Sequence, residues 1–326
     1  MPCLPFRGPS TMPFVVSLVM LFTHGSSSPA ADFVKTTHIY KTVSDVKIAA
    51  DVYRPTDDQI RPVVVWIHGG ALIVGSREWV PANVVELCKT EGFTLVSVDY
   101  RLAPEVKLPE IAQDLDDAFL WLREKGPSLL KIDPDRMVIA GGSAGGFCTF
   151  LATTRMKHKP KAIVSYWGYG EFEPDWTAVK SNDHGERVDK DNALKGIGGE
   201  IITAPTKEQG MARGLFYHYT RQSGIWGKTV TGFDPTSEHD ELKKLSPVSL
   251  ITADFPPTLM VHGTIDTDVP YVCATRLSAA LKAHNVPYEL ITVENAGHGL
   301  SDGDKLLVQN AHDRALDFIR QQLRQK

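Results

Sequence analysis

The sequence of 326 residues lacks several features that mark particular classes of protein. It contains only four cysteines, none of them in a C-x-x-C pair, so neither a disulfide-stabilised scaffold nor a structural zinc site is expected. Lysine and arginine (35) do not outnumber aspartate and glutamate (39), and the net charge of −4 offers no basic surplus for binding nucleic acid. The hydrophobic share of 42% and the charged share of 23% are typical of a globular protein and exclude a disordered or coiled-coil chain.

Long apolar runs are also absent, apart from one near the amino terminus. That run, residues 13–23, has the length of a signal-peptide core and is too short to span a bilayer. The small residues at 28–30 fit cleavage after Ala30, although an amphiphilic tail or a start at Met12 would also explain the pattern. We therefore expect residues 1–30 to be a signal peptide removed on export, to the periplasm or the exterior, and no membrane anchor in the mature chain.

Removal of this segment would leave three cysteines, which is an odd number. At least one thiol then stays free, and we expect all three to be buried in the core rather than paired in disulfides. They are Cys88, Cys148 and Cys273.

Short apolar segments alternate with helical periodicities along the remaining sequence. Residues 34–42 and 46–53 show the alternation of an antiparallel pair of strands. Continuous apolar segments typical of a buried parallel sheet follow at 63–67, 95–98, 137–140, 162–166, 258–261 and 288–293. Apolar residues at helical spacing occur around 111–122, 277–281 and 308–319. The alternation predicts an α/β fold with a mostly parallel, doubly wound sheet and antiparallel amino-terminal strands.

One interval, at about 168–257, contains no clear strand. It is rich in glycine, charge and aromatic residues, and so long an interval inside a compact domain is usually functional. We expect residues 31–326 to form a single domain that carries this interval as an inserted, mostly helical cap. A peripheral extension without substrate contact is the alternative, and the aromatic residues either bind a substrate ring or form the core of the cap itself.

The strongest chemical motif is GGSAGG at residues 141–146, which lies between an apolar strand and a helical pattern. In that context G-x-S-x-G predicts a nucleophilic Ser143 on a tight strand-to-helix turn, where a neighbouring helix amino terminus favours developing negative charge. Gly141 and Gly145 provide the space that such a turn requires. A purely structural glycine turn is the alternative.

A second glycine motif, HGGA at residues 68–71, directly follows an apolar strand. Such a loop can aim backbone N–H groups at an oxyanion, and the amides of Gly69, Gly70 and Ala144 are the natural set. We interpret His68 as a residue that fixes this loop by hydrogen bonding rather than as a base.

An acid and a base follow in the order that a Ser-Asp-His triad requires. Asp266 comes after the strand at 258–261, and His298 comes after the strand at 288–293, so both loops leave the same edge of the sheet as Ser143. The base needs a carboxylate at its second ring nitrogen, and Asp268 is the rival to Asp266 for that role. His312 falls in a helical pattern and is not expected to be catalytic.

The segment DYRLAP (residues 99–104) contains two residues of opposite charge, Asp99 and Arg101. We interpret them as a buried ion pair that braces the loop rather than as catalytic groups.

Together these motifs resemble those of the α/β-hydrolases, in particular the bacterial esterases and lipases related to hormone-sensitive lipase and to acetyl and feruloyl esterases. The resemblance extends from residue 68 to residue 298 and rests on HGGA, DYRLAP, GGSAGG, HGTIDTDVP (262–270) and GHG (297–299). It implies Ser143 as nucleophile, His298 as base and Asp266 as orienting acid. It also implies that the amides of Gly69, Gly70 and Ala144 surround the oxyanion.

Two residues depart from the usual pattern of that group. Ala71 stands where a third glycine is usual, and Gly142 stands where an acidic residue usually precedes the nucleophile. The acid loop is more similar to that of prolyl-oligopeptidase-like enzymes, but those place tyrosine where this chain has Ala144 and carry a propeller domain for which there is no room.

The sequence therefore predicts a serine carboxylic ester hydrolase that acts through an acyl-enzyme on small-molecule short acyl, acetyl or aryl esters. One alternative is a serine exopeptidase, in which Glu171, Glu173 or Asp175 would bind the substrate ammonium. Another is a non-catalytic binding protein on the same fold. No metal or nucleotide motif is present, so no cofactor is expected, and nothing in the sequence indicates the oligomeric state.

Overall fold

The computed structural model describes residues 33–324. Eight strands form one sheet: β1 (Phe33–Val43), β2 (Val46–Pro55), β3 (Arg61–Ile67), β4 (Thr94–Val98), β5 (Ile132–Gly142), β6 (Ala162–Tyr166), β7 (Thr258–Gly263) and β8 (Tyr288–Val293). Their order in the sheet is β1-β2-β4-β3-β5-β6-β7-β8. The β1–β2 and β2–β4 pairs are antiparallel and all others are parallel, which confirms the predicted sheet.

The central strands are apolar throughout because both faces of the sheet are covered. In β3, Val63 and Val65 belong to one buried cluster, whereas Val64 and Trp66 belong to a second cluster on the opposite face. Successive strand residues point to opposite faces, so a strand buried on both sides needs an apolar residue at every position.

Helices cover both faces of this sheet. Their bounds are α1 Ala82–Glu91, α2 Leu108–Glu124, α3 Gly126–Leu129, α4 Ala144–Arg155, α5 Pro174–Thr177, α6 Lys190–Leu194, α7 Lys207–Ser223, α8 Trp226–Thr231, α9 His239–Lys243, α10 Pro247–Leu250, α11 Val272–Ala283 and α12 Lys305–Arg324. The first buried cluster contains residues of α2, α4 and α11, and the second contains residues of α1 and α12. The three predicted helical periodicities correspond to α2, α11 and α12. None of the helices within residues 33–324 is both long and apolar enough to cross a membrane.

The chain between β6 and β7 forms six helices, α5 to α10. Its aromatic residues are mostly internal: Tyr169, Phe172, Trp176 and Trp226 are buried and pack with one another and with Phe147 of α4, at ring-centroid distances of 4.7–5.8 Å. These four rings form the core of this helical segment and are not free to stack on a ligand. We refer to α5–α10 and their connections as the cap.

Cys88, Cys148 and Cys273 are buried and free, as predicted. Burial raises the pKa of each thiol, because the charged thiolate is disfavoured away from water. The predicted signal peptide, residues 1–30, lies outside the described residues.

The prediction that Asp99 and Arg101 pair with each other is wrong. Asp99 accepts two hydrogen bonds from Arg77, at 2.6 Å from the amide and 2.5 Å from the guanidinium, while Arg101 binds both carboxylate oxygens of Asp114 at 2.8 Å. The two side chains face different parts of the fold: Asp99 meets the loop between β3 and α1, and Arg101 meets α2.

Candidate active site

Ser143 forms the turn between β5 and α4 by itself. β5 ends at Gly142 and α4 begins at Ala144. Ser143 takes φ 56° and ψ −123°, a backbone conformation that residues other than glycine rarely adopt. A Cβ at Gly145 would overlap the carbonyl oxygen of Ile67, which explains the glycine two residues after Ser143. Such local strain persists only where the surrounding fold imposes it and is concentrated at functional sites.

Asp266 and His298 converge on Ser143 from the loops that follow β7 and β8. Nε2 of His298 lies 3.1 Å from Oγ of Ser143, and Nδ1 lies 2.8 Å from Oδ2 of Asp266. The other carboxylate oxygen of Asp266 accepts hydrogen bonds from the amides of Asp268 and Val269, both at 2.9 Å. The acid is therefore fixed by its own loop, and it fixes the orientation of the imidazole in turn.

The electrostatics of this pair agree with its geometry. Burial alone would raise the pKa of Asp266, but hydrogen bonds with His262 and His298 outweigh it and hold the pKa below its ordinary value. Burial alone would lower the pKa of His298, but the hydrogen bond with Asp266 and the charge of Asp268 outweigh it and raise the pKa. Asp266 is thus a carboxylate that stabilises the protonated imidazole.

Asp268, the rival acid, lies on the opposite side of the imidazole. Its Oδ2 is 3.6 Å from Nε2 of His298, the nitrogen that faces Ser143, whereas Asp266 occupies the Nδ1 side. A carboxylate on the Nε2 side cannot select the tautomer that accepts a proton from serine. Asp266, and not Asp268, therefore contacts the ring nitrogen that points away from Ser143.

The glycine loop after β3 passes directly beside Ser143. A Cβ at Gly69 would lie 3.4 Å from Cβ of Ser143, and Gly70 has φ +100°, where a side chain would overlap the carbonyl of Val74. Ala71, which replaces the usual third glycine, takes φ 57° despite its methyl group. The backbone of the loop at Ala71 therefore has the positive φ that is usual for glycine, although alanine has a side chain.

The amides of Gly69, Gly70 and Ala144 are the N–H groups singled out by the sequence. No backbone hydrogen-bond acceptor for any of the three is found within residues 33–324. Ala144 follows Ser143 in the chain and is the first residue of α4, and Gly69 lies beside Ser143 in space. Free donors at this position are available to a ligand next to Oγ.

His68 is fully buried and does not reach Ser143. Its Nδ1 is 2.8 Å from the carbonyl oxygen of Gly69, and its ring stacks on Tyr100 with centroids 4.3 Å apart. Burial lowers the pKa of His68 to about 4 and outweighs the hydrogen bond to Gly69, so the ring is neutral at pH 7. As predicted, His68 contacts the loop rather than the nucleophile.

A cavity of about 280 Å³ opens next to Ser143. Its walls come from the glycine loop, the acid and base loops, and the cap: Gly70, Ala71, Val74, Ser143, Gly214, Tyr217, Asp268 and His298. The volume is at the small end of the range for ligand pockets. Asp268 has 24% of its side chain exposed here, while the side chain of Asp266 is fully buried.

The cap lines this cavity, but the two residues that it contributes are not predicted by the sequence. Gly214 and Tyr217 lie on α7, more than seventy residues from Ser143, and no motif marks either of them. A Cβ at Gly214 would meet nothing within 4 Å, so the absence of a side chain there leaves space in the cavity. Glycine in a helix interior costs up to about 1 kcal/mol relative to alanine, which makes a cavity-lining glycine notable.

The acidic residues considered for an exopeptidase do not line this cavity. Glu171 and Asp175 form ion pairs with Arg276 of α11 at 3.2 and 2.9 Å, and neither they nor Glu173 are among the residues around Ser143. His312, the other histidine considered, packs edge-on against Trp167 with ring centroids 6.2 Å apart.

Within residues 33–324, no cluster of three or more histidine, cysteine, aspartate or glutamate side chains is arranged to hold a metal ion.

Several solved structures share this architecture. An α/β-hydrolase superfamily protein from Enterococcus faecalis has a TM-score of 0.71 at 19% identity, over 89% of this chain and 100% of that one. Native esterase 2 from Thermogutta terrifontis has a TM-score of 0.59 at 22% identity, over 90% of this chain and 92% of that one. At these identities the likeness shows a shared fold, the α/β-hydrolase fold.

Sequence comparison finds relatives among much larger fungal proteins and a matching family. The chain is 27% identical over 316 residues to the non-reducing polyketide synthase pkbA of Emericella nidulans, and 28% identical over 319 residues to prhL of Penicillium brasilianum. These matches cover 80% and 82% of this chain but only 13% of each synthase, so the chain spans a small part of the curated relatives it matches. The BD-FAE family model matches residues 50–281, which is well over half of the sequence. The protein, with its α/β-hydrolase fold, belongs to the BD-FAE family.

Proposed function

We propose that the protein is a serine carboxylic ester hydrolase that acts through an acyl-enzyme. The observation that carries this proposal is the continuous contact from Asp266 through His298 to Ser143, with distances of 2.8 and 3.1 Å. The esterases among the structural neighbours are consistent with it.

In the first half-reaction, His298 Nε2 takes the hydroxyl proton of Ser143 while Oγ forms a bond to the ester carbonyl carbon. The tetrahedral intermediate collapses as the bond to the alcohol oxygen breaks, and His298 returns its proton to that oxygen. In the second half-reaction, His298 takes a proton from water, the water oxygen attacks the acyl-enzyme, and Ser143 recovers its proton as the carboxylic acid leaves.

The negative charge of the tetrahedral intermediate would be held by N–H groups of the glycine loop and of α4. The amides of Gly69, Gly70 and Ala144 support this role because they have no backbone acceptor within the described residues. Each such donor typically contributes about 3–4 kcal/mol to lowering the barrier.

Labelling with a fluorophosphonate probe tests the proposal directly. The probe reacts with an activated serine, so mass spectrometry should find it on the peptide that contains Ser143. His298→Ala should abolish the labelling, because the base that activates the hydroxyl is gone. A folded wild-type protein that stays unlabelled would instead support a non-catalytic binding protein.

The alternative of an exopeptidase is tested by comparing acyl esters with aminoacyl anilides. Esters are the easier acyl donors, and none of the three carboxylates that the sequence suggested for binding an ammonium group lines the cavity. We expect ester hydrolysis and no measurable release of aniline.

The pH dependence of ester hydrolysis should follow the protonation of the His298 imidazole. Its pKa is raised above the ordinary value of 6.5, and only the neutral imidazole accepts the serine proton. The value of kcat/KM for p-nitrophenyl acetate is therefore expected to rise with pH, with a midpoint above 6.5. A profile that falls with pH, or is flat between about pH 5 and 9, would contradict His298 as the base.

The preference of the protein for acyl chains of a given length should depend on Gly214. Gly214→Leu puts a side chain into the cavity, so the ratio of butyrate to acetate hydrolysis in kcat/KM should fall about tenfold or more. Gly210→Leu is the matched control, because Gly210 lies one turn earlier on α7, also has nothing within 4 Å, and does not line the cavity. An unchanged ratio in Gly214→Leu would place the acyl chain elsewhere.

We also propose that the chain is exported, on the basis of the apolar run at residues 13–23. Amino-terminal sequencing of the protein recovered outside the cytoplasm should begin at Ala31. Recovery of the intact chain from the cytoplasm alone would contradict export.

A further inference from the structure

Asp268 has one carboxylate oxygen bound to the cap and one that faces the candidate active site. The hydroxyl of Tyr217 donates a hydrogen bond to Oδ1, and Nε2 of His184 lies 3.0 Å from the same oxygen. The guanidinium of Arg221 donates to the backbone carbonyl of Asp268 at 3.0 Å. Three cap residues therefore hold this aspartate in one orientation.

These contacts also keep the group ionised. Burial alone would raise the pKa of Asp268, but the hydrogen bond with His184, the charges of His298 and Arg221 and the hydrogen bond from Tyr217 hold it well below its ordinary value. An ionised carboxylate accepts hydrogen bonds and donates none.

The second oxygen, Oδ2, has no hydrogen-bond donor within residues 33–324. Nε2 of His298 lies 3.6 Å from it, and Asp268 lines the cavity together with Ser143. Hydrogen bonds to a charged acceptor are stronger than those to a neutral one, so this oxygen favours a substrate that brings a donor to it.

The position of Oδ2 indicates which part of the substrate it meets. The base that takes the proton from Ser143 later gives it to the alcohol oxygen, so that oxygen must come within about 2.6–3.2 Å of Nε2. Oδ2 lies 3.6 Å from the same nitrogen. A group that reaches Oδ2 while the alcohol oxygen contacts Nε2 must be attached close to that oxygen, on the next carbon atom of the alcohol.

We propose that Oδ2 of Asp268 binds a hydroxyl group on the carbon adjacent to the ester-bearing carbon, so that the protein prefers monoesters of vicinal diols. This inference rests on the proposed ester hydrolysis and adds the specificity for the alcohol.

The test compares two acetates of nearly equal size, ethylene glycol monoacetate and propyl acetate. The first has a hydroxyl where the second has a methyl group. Wild-type protein is expected to favour the glycol ester about tenfold in kcat/KM, the effect of one hydrogen bond to a charged acceptor. Using a ratio cancels the influence of Asp268 on the basicity of His298, because that influence is the same for both esters.

Asp268→Asn is the informative variant. The hydroxyl of Tyr217 continues to donate to the amide oxygen at the Oδ1 position, so the NH₂ group replaces Oδ2 and cannot accept a hydrogen bond. The ratio should then fall to about one. Asp175→Asn is the control, since it removes a carboxylate of the cap that pairs with Arg276 and does not line the cavity, and its ratio should stay at the wild-type value.

Choline acetate separates hydrogen bonding from simple charge attraction, because its cation has no N–H or O–H donor. The inference is overturned if wild-type protein does not favour the glycol ester over propyl acetate, if Asp268→Asn keeps the preference, or if the choline ester is favoured above the glycol ester. Each of these results leaves the proposed ester hydrolysis standing. A folded wild-type protein that hydrolyses none of the esters would overturn both proposals.

Discussion

Replacement of Ser143 or His298 by alanine is expected to lower kcat for p-nitrophenyl acetate by about 10⁴- to 10⁶-fold. Oγ of Ser143 and Nε2 of His298 are 3.1 Å apart, so the two groups act as one unit in which neither is effective alone. The double variant should therefore be no slower than either single variant by more than a small factor. Asp266→Asn should cost about 10⁴-fold, because the imidazole then presents the wrong tautomer to the serine.

His312→Ala is the matched control for this series. His312 packs against Trp167 from α12, and the residues around the cavity do not include it. We expect its kcat to stay near the wild-type value while circular dichroism reports an unchanged fold for every variant. Substantial activity in folded Ser143→Ala would disprove the acyl-enzyme mechanism.

Replacement of Arg213 by methionine is expected to lower the free energy of unfolding by about 3–5 kcal/mol. Arg213 is fully buried on α7 and joins the cap to the loops that follow β3 and β4. Its guanidinium donates to the carbonyl oxygens of Ile73 and Ala103, at 2.6 and 2.5 Å, and binds Glu105 at 2.8 Å. Loss of the guanidinium leaves a buried carboxylate and two carbonyl groups without these donors.

The same substitution should reduce activity, because Gly214 follows Arg213 directly and Tyr217 lies one turn later on α7. Urea denaturation of Arg213→Met and of Arg187→Met measures the effect on stability. Arg187 is exposed on the cap, so its replacement should change the free energy of unfolding by no more than about 0.5 kcal/mol. Additional replacement of Glu105 by leucine should recover part of the loss, since it removes the unpaired charge. A loss below about 1 kcal/mol in Arg213→Met would show that the cap is held mainly by other contacts.

The buried strands can be predicted because each is marked by a short run of consecutive apolar residues. A strand buried on both faces needs consecutive apolar residues, and all six such segments are strands of the sheet. The prediction for β5 was shorter than the observed strand, which already begins at Ile132. The residues between Ile132 and Met137 are partly exposed and polar, so they lack the pattern that marks the buried part.

The partners of charged side chains are harder to predict from the sequence than the strands. Asp99 and Arg101 are close in sequence and opposite in charge, yet Asp99 binds Arg77 and Arg101 binds Asp114. Similarly, the sequence offered both Asp266 and Asp268 as the acid, and only their positions on opposite sides of the imidazole distinguish them. Such choices depend on the direction of side chains, which short-range spacing does not define.

The sheet, four of the helices that cover it (α2, α4, α11 and α12) and the three loops that carry Ser143, Asp266 and His298 can be predicted from the sequence alone. Each of these depends on neighbouring residues: an apolar run, a helical spacing, or a glycine at a turn that tolerates no side chain. That Gly214, Tyr217 and Asp268 share a cavity with them, and that Oδ2 of Asp268 faces this cavity, is visible only in the folded chain. The cap reaches the sheet edge through contacts between residues more than fifty positions apart, such as Tyr217 with Asp268, and a local sequence pattern cannot encode such contacts.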